Sequence, residues 1–217
     1  MQIEQLRFNM IEQQIRPWDV LDPVVLSLLA EVKREEFVPA SAKALAFFDI
    51  EIPFGDGQCM LAPKVEGRIM QALQRDGTEN VCEIGTGTGY LTALLAKSSK
   101  FVTSLEIDAE RSKQAALNLA QAGIKNVNLV VTDGSQAYSK GSPYDVLVLG
   151  ASVPVLLPII SQQVKVGGKI FAIVGDAPAM QAKLIVRVSK TEYKETVLFE
   201  TVTPLMINSS QPKRFHF

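Results

Sequence analysis

The chain has few of the side chains on which metal binding, disulfide formation and hydrolysis commonly depend. Its two cysteines, Cys59 and Cys82, are too few for a disulfide framework and lack the Cys/His spacing of a zinc site. The single histidine, His216, precedes the C-terminal residue, so a hydrolase would need its base in the tail. We therefore expect no metal site, no structural disulfide and no histidine-dependent hydrolase.

The sequence also lacks an excess of charge and a long apolar run. Its formal net charge is −1, and its one basic cluster, Lys213-Arg214, is interpreted as a solvated tail, so nucleic acid is not an expected partner. The longest apolar stretch, Val146 to Ile160, is too short for a membrane span and contains Pro154 and Pro158. Because there is no secretory signal pattern and little cysteine, we expect a cytoplasmic protein that binds no membrane.

Helical segments and a proline-rich stretch are predicted in the first third of the chain. Residues 2 to 15 have a helical pattern, and Asp22-Pro23 supplies an N-cap and a first-turn proline for a second helix. Prolines and glycines between Phe37 and Pro63 predict irregular chain, with at most a short helix around residues 42 to 48. A further helix is predicted from Pro63 to about Arg75.

Short apolar runs alternate with helical segments from Asn80 onward, which is the rhythm of βαβ units. Helices are predicted from Tyr90 onward and over residues 109 to 122. The predicted strands are Val81–Ile84, Phe101–Ile107, Val127–Val131, Tyr144–Leu149 and Lys169–Val174, the last preceded by a Gly167-Gly168 turn. Two later runs, Leu184–Val188 and Glu195–Val202, predict an antiparallel hairpin at the edge of the sheet.

These elements predict an α/β fold with a doubly wound, Rossmann-like sheet. The sheet is expected to be mostly parallel, with an antiparallel C-terminal hairpin and an N-terminal helical extension. Residues 1–78 are predicted to form the N-terminal helices and a substrate loop that pack on a core of residues 79–217. At this length we expect one compact domain overall.

A glycine-rich loop follows the first predicted strand of the core. Gly85, Gly87 and Gly89 lie at the carboxyl end of that strand, where open parallel sheets bind their ligands. A nicotinamide-binding loop begins in the same way, but Tyr90 stands where the third small residue of a dinucleotide fingerprint belongs. The loop therefore favours S-adenosylmethionine over a dinucleotide, and a nicotinamide oxidoreductase is kept as an outside alternative.

Three acidic residues lie at the ends of three successive strands. Glu83 is expected to attract the ammonium group of S-adenosylmethionine, since a carboxylate beside a pyrophosphate would be repelled. Glu106 is expected to accept hydrogen bonds from the ribose hydroxyls, and Asp133 from the adenine amino group. Asp108 is interpreted as a helix N-cap and Asp145 as a structural residue.

Several motifs together resemble the protein-L-isoaspartate O-methyltransferase family, over roughly residues 5 to 205. They are Phe37-Val38-Pro39, the loop Pro53-Phe54-Gly55-Asp56-Gly57-Gln58, the run from Cys82 to Tyr90, Ser104-Leu105-Glu106, Asp133-Gly134, Pro143-Tyr144-Asp145 and Val166-Gly167-Gly168. The resemblance implies a methyltransferase fold and methyl transfer from S-adenosylmethionine to the isoaspartyl α-carboxylate of a protein, a repair reaction. The predicted cofactor-binding residues are Glu83, Gly85, Thr86, Gly87, Gly89, Glu106, Ile107, Asp133 and Gly134.

The chain departs from the family in the predicted substrate loop, which comprises Gly57, Gln58, Cys59, Met60 and Leu61. Family members continue after Gly-Gln with Thr-Ile-Ser, and their two hydroxyls are associated with the reacting carboxylate. Cys59 and Leu61 occupy those positions here, so the hydrogen bonds from both hydroxyls are missing. Backbone N–H groups or Arg16 are candidates to replace them, and no residue is assigned a catalytic role.

The leading hypothesis is therefore a protein carboxyl methyltransferase of the isoaspartate-repair type. The altered loop motivates a second hypothesis, a methyltransferase with a different protein or small-molecule acceptor. A third is a non-catalytic module that binds the cofactor and contacts a partner through the apolar loop or the Phe215-His216-Phe217 tail.

Overall fold

The computed structural model describes residues 2–136 and 138–212. The helices are α1 (Gln2–Met10), which continues as a wider turn over Ile11–Ile15, α2 (Pro23–Glu31), α3 (Pro63–Leu73), α4 (Tyr90–Lys97), α5 (Ala109–Gln121) and the short α6 (Pro158–Ser161). Tighter 3₁₀ turns cover Arg16–Trp18, Arg34–Glu36, Ala40–Leu45 and Gly134–Gln136. The strands are β1 (Ile52–Gly55), β2 (Gln58–Met60), β3 (Asn80–Ile84), β4 (Phe101–Glu106), β5 (Val127–Val131), β6 (Tyr144–Leu149), β7 (Val164–Val174), β8 (Gln181–Arg187) and β9 (Tyr193–Glu200).

Seven of the strands form one sheet in the order β5-β4-β3-β6-β7-β8-β9. The first five strands in that order run parallel to one another, and β8 and β9 add two antiparallel pairings at one edge. The predicted fold class is therefore confirmed, including the C-terminal hairpin. Because β4 and β6 both pair with β3, the chain changes its winding direction at β3, and a crevice opens beyond the carboxyl end of that strand.

Two predictions about local structure were wrong. The stretch between Phe37 and Pro63 was expected to be irregular, yet β1 and β2 form an antiparallel hairpin there. Its Gly55-Asp56-Gly57 turn has φ values of 116°, 51° and 69°, which reverse the chain tightly enough to pair the flanking residues. The two flanking segments therefore form paired strands, although their proline and glycine content predicted irregular chain.

The second wrong prediction concerns Gly167-Gly168, which was expected to be a turn before a strand. Strand β7 begins at Val164 and runs through both glycines, with a bulge where it pairs with β6. A Cβ on Gly168 would lie 2.9 Å from the carbonyl oxygen of Asp145, so the glycine allows the two backbones to approach.

Apolar side chains cover both faces of the sheet, as expected for parallel strands flanked by helices. On β3, Val81 belongs to the apolar cluster on one face, and Cys82 belongs to the cluster on the other. Helix α4 is buried over almost its whole length, from Tyr90 to Ala96. Among the helices of the described ranges, none is long and apolar enough to cross a membrane.

The N-terminal segment packs on the same core through α1 and α2. Helix α2 begins as predicted, because the Asp22 side chain accepts a hydrogen bond from the N–H of Val24 at 2.8 Å. Met10 and Leu29 are fully buried in the larger apolar cluster. Hydrophobic burial therefore joins these helices to the sheet that carries the glycine loop.

Arg34 joins the N-terminal segment to the hairpin region by hydrogen bonds. Its side chain is fully buried, and its guanidinium donates to the carbonyl oxygens of Ala46 at 3.2 Å and Leu61 at 3.0 Å. A longer bond of 3.5 Å reaches the carbonyl oxygen of Ile50. A planar cation with several donors thus satisfies carbonyl groups on both sides of the hairpin.

We expect the Arg34→Met substitution to lower the free energy of unfolding by about 3–5 kcal/mol, because it leaves buried acceptors without a donor. The exposed neighbour Lys33 provides the matched control, and Lys33→Met is expected to change the same quantity by about 0.5 kcal/mol or less. Urea denaturation of the three proteins checks this. Equal stability of the two variants would contradict the role given to Arg34.

Candidate functional site

A cleft opens beyond the carboxyl ends of β3, β4 and β5, the place where open parallel sheets bind their ligands. One half, the cofactor half, is lined by residues that follow these strands: Gly85, Gly87, Glu106, Ile107, Asp133 and Gly134. The other half, the acceptor half, is lined from the hairpin and α3 by Phe54, Gln58, Cys59, Met60, Leu61 and Glu66. The structure thus brings residues from both predicted groups into one cleft, although Gly57, Glu83, Thr86 and Gly89 are not part of its lining.

The glycine loop lies against two neighbouring backbones. Gly87 has a φ of 55°, and a Cβ at that position would lie 3.2 Å from the Phe54 ring of the hairpin. Gly150, which follows β6, approaches so closely that a Cβ on it would be 2.7 Å from the carbonyl oxygen of Gly85. Small residues at these contacts keep the loop narrow and leave its backbone accessible from the cleft.

The Glu106 carboxylate is held in a fixed orientation at the floor of the cofactor half. It is 4% exposed, and its two oxygens accept hydrogen bonds from the N–H groups of Gly87 at 2.8 Å and Asp108 at 3.1 Å. A carboxylate has about four lone-pair sites, so further donors can still be accepted. This geometry is suited to binding a pair of ligand hydroxyl groups.

Asp133 lies at the opposite end of the cofactor half. Its carboxylate accepts hydrogen bonds from the N–H of Ser135 at 2.9 Å and from the side-chain amide of Asn208 at 2.8 Å. Partial burial alone would raise the pKa of Asp133, but these hydrogen bonds outweigh it and lower the pKa below its usual value. Asn208 was missed from the sequence, since it lies 75 residues away with no motif around it.

Glu83 does not line the cleft, so a contact between its carboxyl group and the cofactor stays a prediction. Its side chain is fully buried behind the glycine loop, where it accepts hydrogen bonds from the hydroxyls of Thr92 at 2.5 Å and Ser104 at 2.6 Å. The Ser104 hydroxyl also lies 2.6 Å from that of Thr86. Both Thr92 and Ser104 donate to the same oxygen of Glu83, Oε2, and its Oε1 has no hydrogen-bond partner within the described residues.

Two other predicted residues have supporting positions. Neither Thr86 nor Gly89 lines the cleft. Thr86 is buried at 4% exposure, and Gly89 is the N-cap residue of α4.

Burial raises the pKa of Glu83 to about 7, although the hydrogen bonds from Ser104 and Thr92 lower it. The side chains behind the loop therefore fix its shape, while its backbone faces the cleft.

The acceptor half is mostly apolar and lacks a free hydroxyl at the two divergent positions. Met60 and Leu61 are each 4% exposed, and the sulfur of Cys59 lies 4.0 Å from the Thr203 hydroxyl. Burial, and after it the nearby Glu51, raises the pKa of Cys59 to about 12, so the thiol is neutral at physiological pH. Gln58 donates a hydrogen bond to the carbonyl oxygen of Leu205 at 3.0 Å.

Two residues that the sequence named for this half, Gly57 and Arg16, do not line the cleft. Gly57 is exposed at the tip of the hairpin and does not line the cleft. Arg16 does not replace the missing hydroxyls, because it is half exposed, pairs with Glu12 at 2.7 Å one helical turn away and does not line the cleft. A long charged side chain on an exposed helical surface favours such local pairing.

Glu66 is a site residue that sequence reasoning missed. It is 2% exposed on α3, lines the acceptor half, and lies 3.7 Å from the Nε of Arg34. The signal was present in its spacing, because Glu66, Met70 and Leu73 share the buried face of the helix. A carboxylic acid on the apolar face of a helix identifies a candidate site residue.

Arg111 of α5 forms an ion pair with the tip of the β1–β2 hairpin. Its guanidinium pairs with Asp56 at 2.6 Å and lies 5.5 Å from the centre of the Phe54 ring. Another nitrogen of the same group is 4.0 Å from Glu106. Asp108 caps α5 as predicted, accepting from the N–H of Arg111 at 2.7 Å. We name the Arg111–Asp56 pair with the Phe54 ring the hairpin latch.

Asp145 has a structural position, outside the lining of the cleft. Asp145 accepts from the N–H of Asn80 at 2.9 Å and pairs with Lys165 at 2.7 Å, at the end of β6 remote from the cleft. Across residues 2–136 and 138–212, no group of three or more His, Cys, Asp or Glu side chains could hold a metal ion. His216 and the tail from Lys213 lie outside the described residues.

Comparison with known proteins identifies relatives over most of the chain. A family model described as Protein-L-isoaspartate(D-aspartate) O-methyltransferase matches residues 5–206. The protein-L-isoaspartate O-methyltransferase 1 of Rhodopseudomonas palustris (strain HaA2) is 37% identical over 185 residues, covering 85% of this chain and 75% of the relative. A protein-L-isoaspartate O-methyltransferase of Koribacter versatilis is 34% identical over 192 residues, covering 88% and 86%.

Solved structures support the fold. A crystal structure of a candidate protein-L-isoaspartate O-methyltransferase from Plasmodium falciparum in complex with S-adenosyl-L-homocysteine superimposes with a TM-score of 0.77. The match covers 94% of this chain and 97% of that one at 17% sequence identity. The similarity extends through the N-terminal segment as well as the sheet.

We expect Glu83 to make the stability of the protein depend on pH. Its pKa is raised from 4.5 to about 7, so its stabilising contribution is fully present below about pH 4.5 and is lost as the pH rises through about 7. A Glu83→Gln variant stays neutral, so its free energy of unfolding should increase relative to the unmodified protein between about pH 5 and about pH 8.

Urea denaturation at several pH values measures this difference. Glu110→Gln serves as the control, because the Glu110 side chain is 81% exposed and its replacement should give a difference that does not vary with pH. A constant difference for Glu83→Gln as well would refute the buried titration.

Proposed function

The chain belongs to the protein-L-isoaspartate O-methyltransferase family, and we propose that it transfers a methyl group from S-adenosylmethionine to the isoaspartyl α-carboxylate of a protein. The observation that carries the proposal is the single cleft in which strand-end carboxylates and the hairpin residues face one another. We further propose that residues 79–217 bind the cofactor and that residues 1–78 complete the acceptor half.

The residues of the cofactor half fit S-adenosylmethionine. Glu106 would accept hydrogen bonds from the ribose hydroxyls, since both of its oxygens are already oriented by N–H groups and retain free lone pairs. Asp133 would accept from the adenine amino group, with Ile107 and Gly134 beside it in the lining. The backbone of Gly85 and Gly87 would face the amino-acid part, while Glu83, Thr86 and Gly89 support the loop from behind.

The chemistry requires little of the protein beyond alignment and exclusion of water. When bound, S-adenosylmethionine supplies a methyl group on a positively charged sulfur. An acceptor carboxylate is already ionised at neutral pH, so the chain needs no general base for the transfer. The buried apolar side chains of Met60 and Leu61 remove water from the acceptor half, which strengthens electrostatic interactions there.

The proposed partner is a protein rather than nucleic acid, because the chain carries a net charge of −1 and so has no overall excess of positive charge for phosphates. Its two cysteines are free thiols, which supports the proposal that it acts in a reducing compartment such as the cytoplasm.

Methyl transfer is tested with radiolabelled S-adenosylmethionine and an isoaspartyl peptide. We expect label in the peptide at a rate at least about tenfold above that of a Glu106→Ala variant, since that variant loses charge-assisted hydrogen bonds to the cofactor. The same peptide with an ordinary aspartyl linkage should remain unlabelled. Binding of S-adenosylhomocysteine without any labelling would refute isoaspartyl transfer and would favour a different acceptor or a non-catalytic binding module.

The hairpin latch is expected to slow the release of the cofactor product. Arg111→Met removes the ion pair with Asp56, so S-adenosylhomocysteine should dissociate several-fold faster while its association rate changes little. Stopped-flow fluorescence or surface plasmon resonance measures both rates. Lys113→Met on the same helix is the control, because Lys113 is 70% exposed and pairs only locally. Equal dissociation rates in the two variants would show that the latch does not retain the ligand.

A further inference from the structure

The acceptor half contains one carboxyl group that the proposed reaction leaves without a role, that of Glu66. The residue is 2% exposed and lines the cleft together with Cys59 and Leu61, the two positions where hydroxyls are missing. Its Oε2 has no hydrogen-bond partner within the described residues. The Nε of Arg34 lies 3.7 Å away, which is longer than a hydrogen bond.

Arg34 cannot move to satisfy Glu66 without losing bonds of its own. Its terminal nitrogens already donate to the carbonyl oxygens of Ala46 and Leu61. The Nε of Arg34 and the Tyr90 hydroxyl, which belongs to another residue of the cleft lining, are also buried without a hydrogen-bond partner. Unpartnered buried polar atoms are costly and uncommon, so a cluster of them beside a cleft indicates a place where a ligand completes the bonding.

The charges around Glu66 decide its protonation state. The titratable or charged groups that face it come from the 34–36 turn, the chain before β1, strands β2 and β3, and helix α4, and they are Arg34, Asp49, Cys59, Glu83 and Tyr90. Burial raises the pKa of Glu66 to about 8, with Arg34 opposing the shift and Glu83 and Asp49 adding to it. Near neutral pH the side chain is therefore mostly an uncharged acid, which has one O–H donor.

We propose that Glu66 is the residue that binds and selects the methyl acceptor, donating a hydrogen bond from its carboxylic acid to one oxygen of the acceptor carboxylate. It thereby takes over the part of the hydroxyls that are missing at Cys59 and Leu61. The second oxygen of the acceptor is left free for methylation, and Glu66 exchanges no proton in the reaction. This inference rests on the proposed function, because it takes a carboxylate as the acceptor.

The test is equilibrium binding of an N-acetylated isoaspartyl peptide, without other titratable side chains, to the protein saturated with S-adenosylhomocysteine. The protein, Glu66→Gln and Glu66→Leu are compared at about pH 6.5 and about pH 9.5. The unmodified protein should bind at least about tenfold more weakly at the higher pH, because Glu66 then becomes a carboxylate that repels the acceptor. Glu66→Gln keeps a donor that does not ionise, so its affinity should change about twofold or less.

Glu66→Leu should bind the peptide about tenfold more weakly than the unmodified protein at the lower pH. The affinity for S-adenosylhomocysteine should be the same in all three proteins, which shows that each variant is folded and that its cofactor half is intact. A dependence on pH in Glu66→Gln as large as that of the unmodified protein would mean that another group, such as Glu83, causes it, and would contradict the inference. Tight peptide binding by Glu66→Leu, or the same pH dependence in all three proteins, would overturn the inference.

Labelling with S-adenosylmethionine separates this inference from the proposed function. Peptide binding that depends on Glu66, without methyl transfer, would support the inference and defeat the proposed activity. Methyl transfer that is unchanged in Glu66→Leu would support the activity and defeat the inference. A protein that binds S-adenosylhomocysteine but neither binds nor methylates the peptide would defeat both.

Discussion

The hydrogen bonds that Thr92 and Ser104 donate to the buried Glu83 carboxylate hold together the elements that meet at the cleft. Glu83 is the penultimate residue of β3, Ser104 belongs to β4 and Thr92 belongs to α4. The Glu83 side chain therefore connects two neighbouring strands with the helix that follows the glycine loop. The position of the loop, and through it the N–H of Gly87 that orients Glu106, depends on this arrangement. A carboxylate is suited to this position because it accepts several hydrogen bonds at once.

Much of the fold and of the cofactor half could be predicted because each depends on local pattern and on the geometry of parallel strands. Apolar runs alternating with helices specify the sheet, and strand ends must share one edge, so Glu106 and Asp133 were correctly expected near the glycine loop. The direction of a side chain at such an edge depends on its neighbours in space. Glu83 is hydrogen-bonded to Thr92 and Ser104 and is not part of the cleft lining, and no spacing in the sequence shows that.

The acceptor half was harder to predict because its residues come together from separate segments. The hairpin forms where proline and glycine suggested irregular chain, since the turn at Gly55-Asp56-Gly57 lets the flanking residues pair. Glu66 could have been identified from its place on the buried face of α3, but its proximity to Arg34 follows only from the folded chain. The missing hydroxyls were visible in the sequence, whereas the group that we propose replaces them was not.

The hairpin latch also has a consequence for the order of events at the cleft. The hairpin supplies Cys59 to the acceptor half, and its Phe54 ring lies against Gly87 in the cofactor half. The β1–β2 hairpin thus lines the acceptor half and also contacts the loop of the cofactor half. Any opening of the hairpin to admit the cofactor would also disturb the place where a carboxylate would bind. We therefore expect a compulsory sequence, in which the cofactor enters first and its spent form departs last.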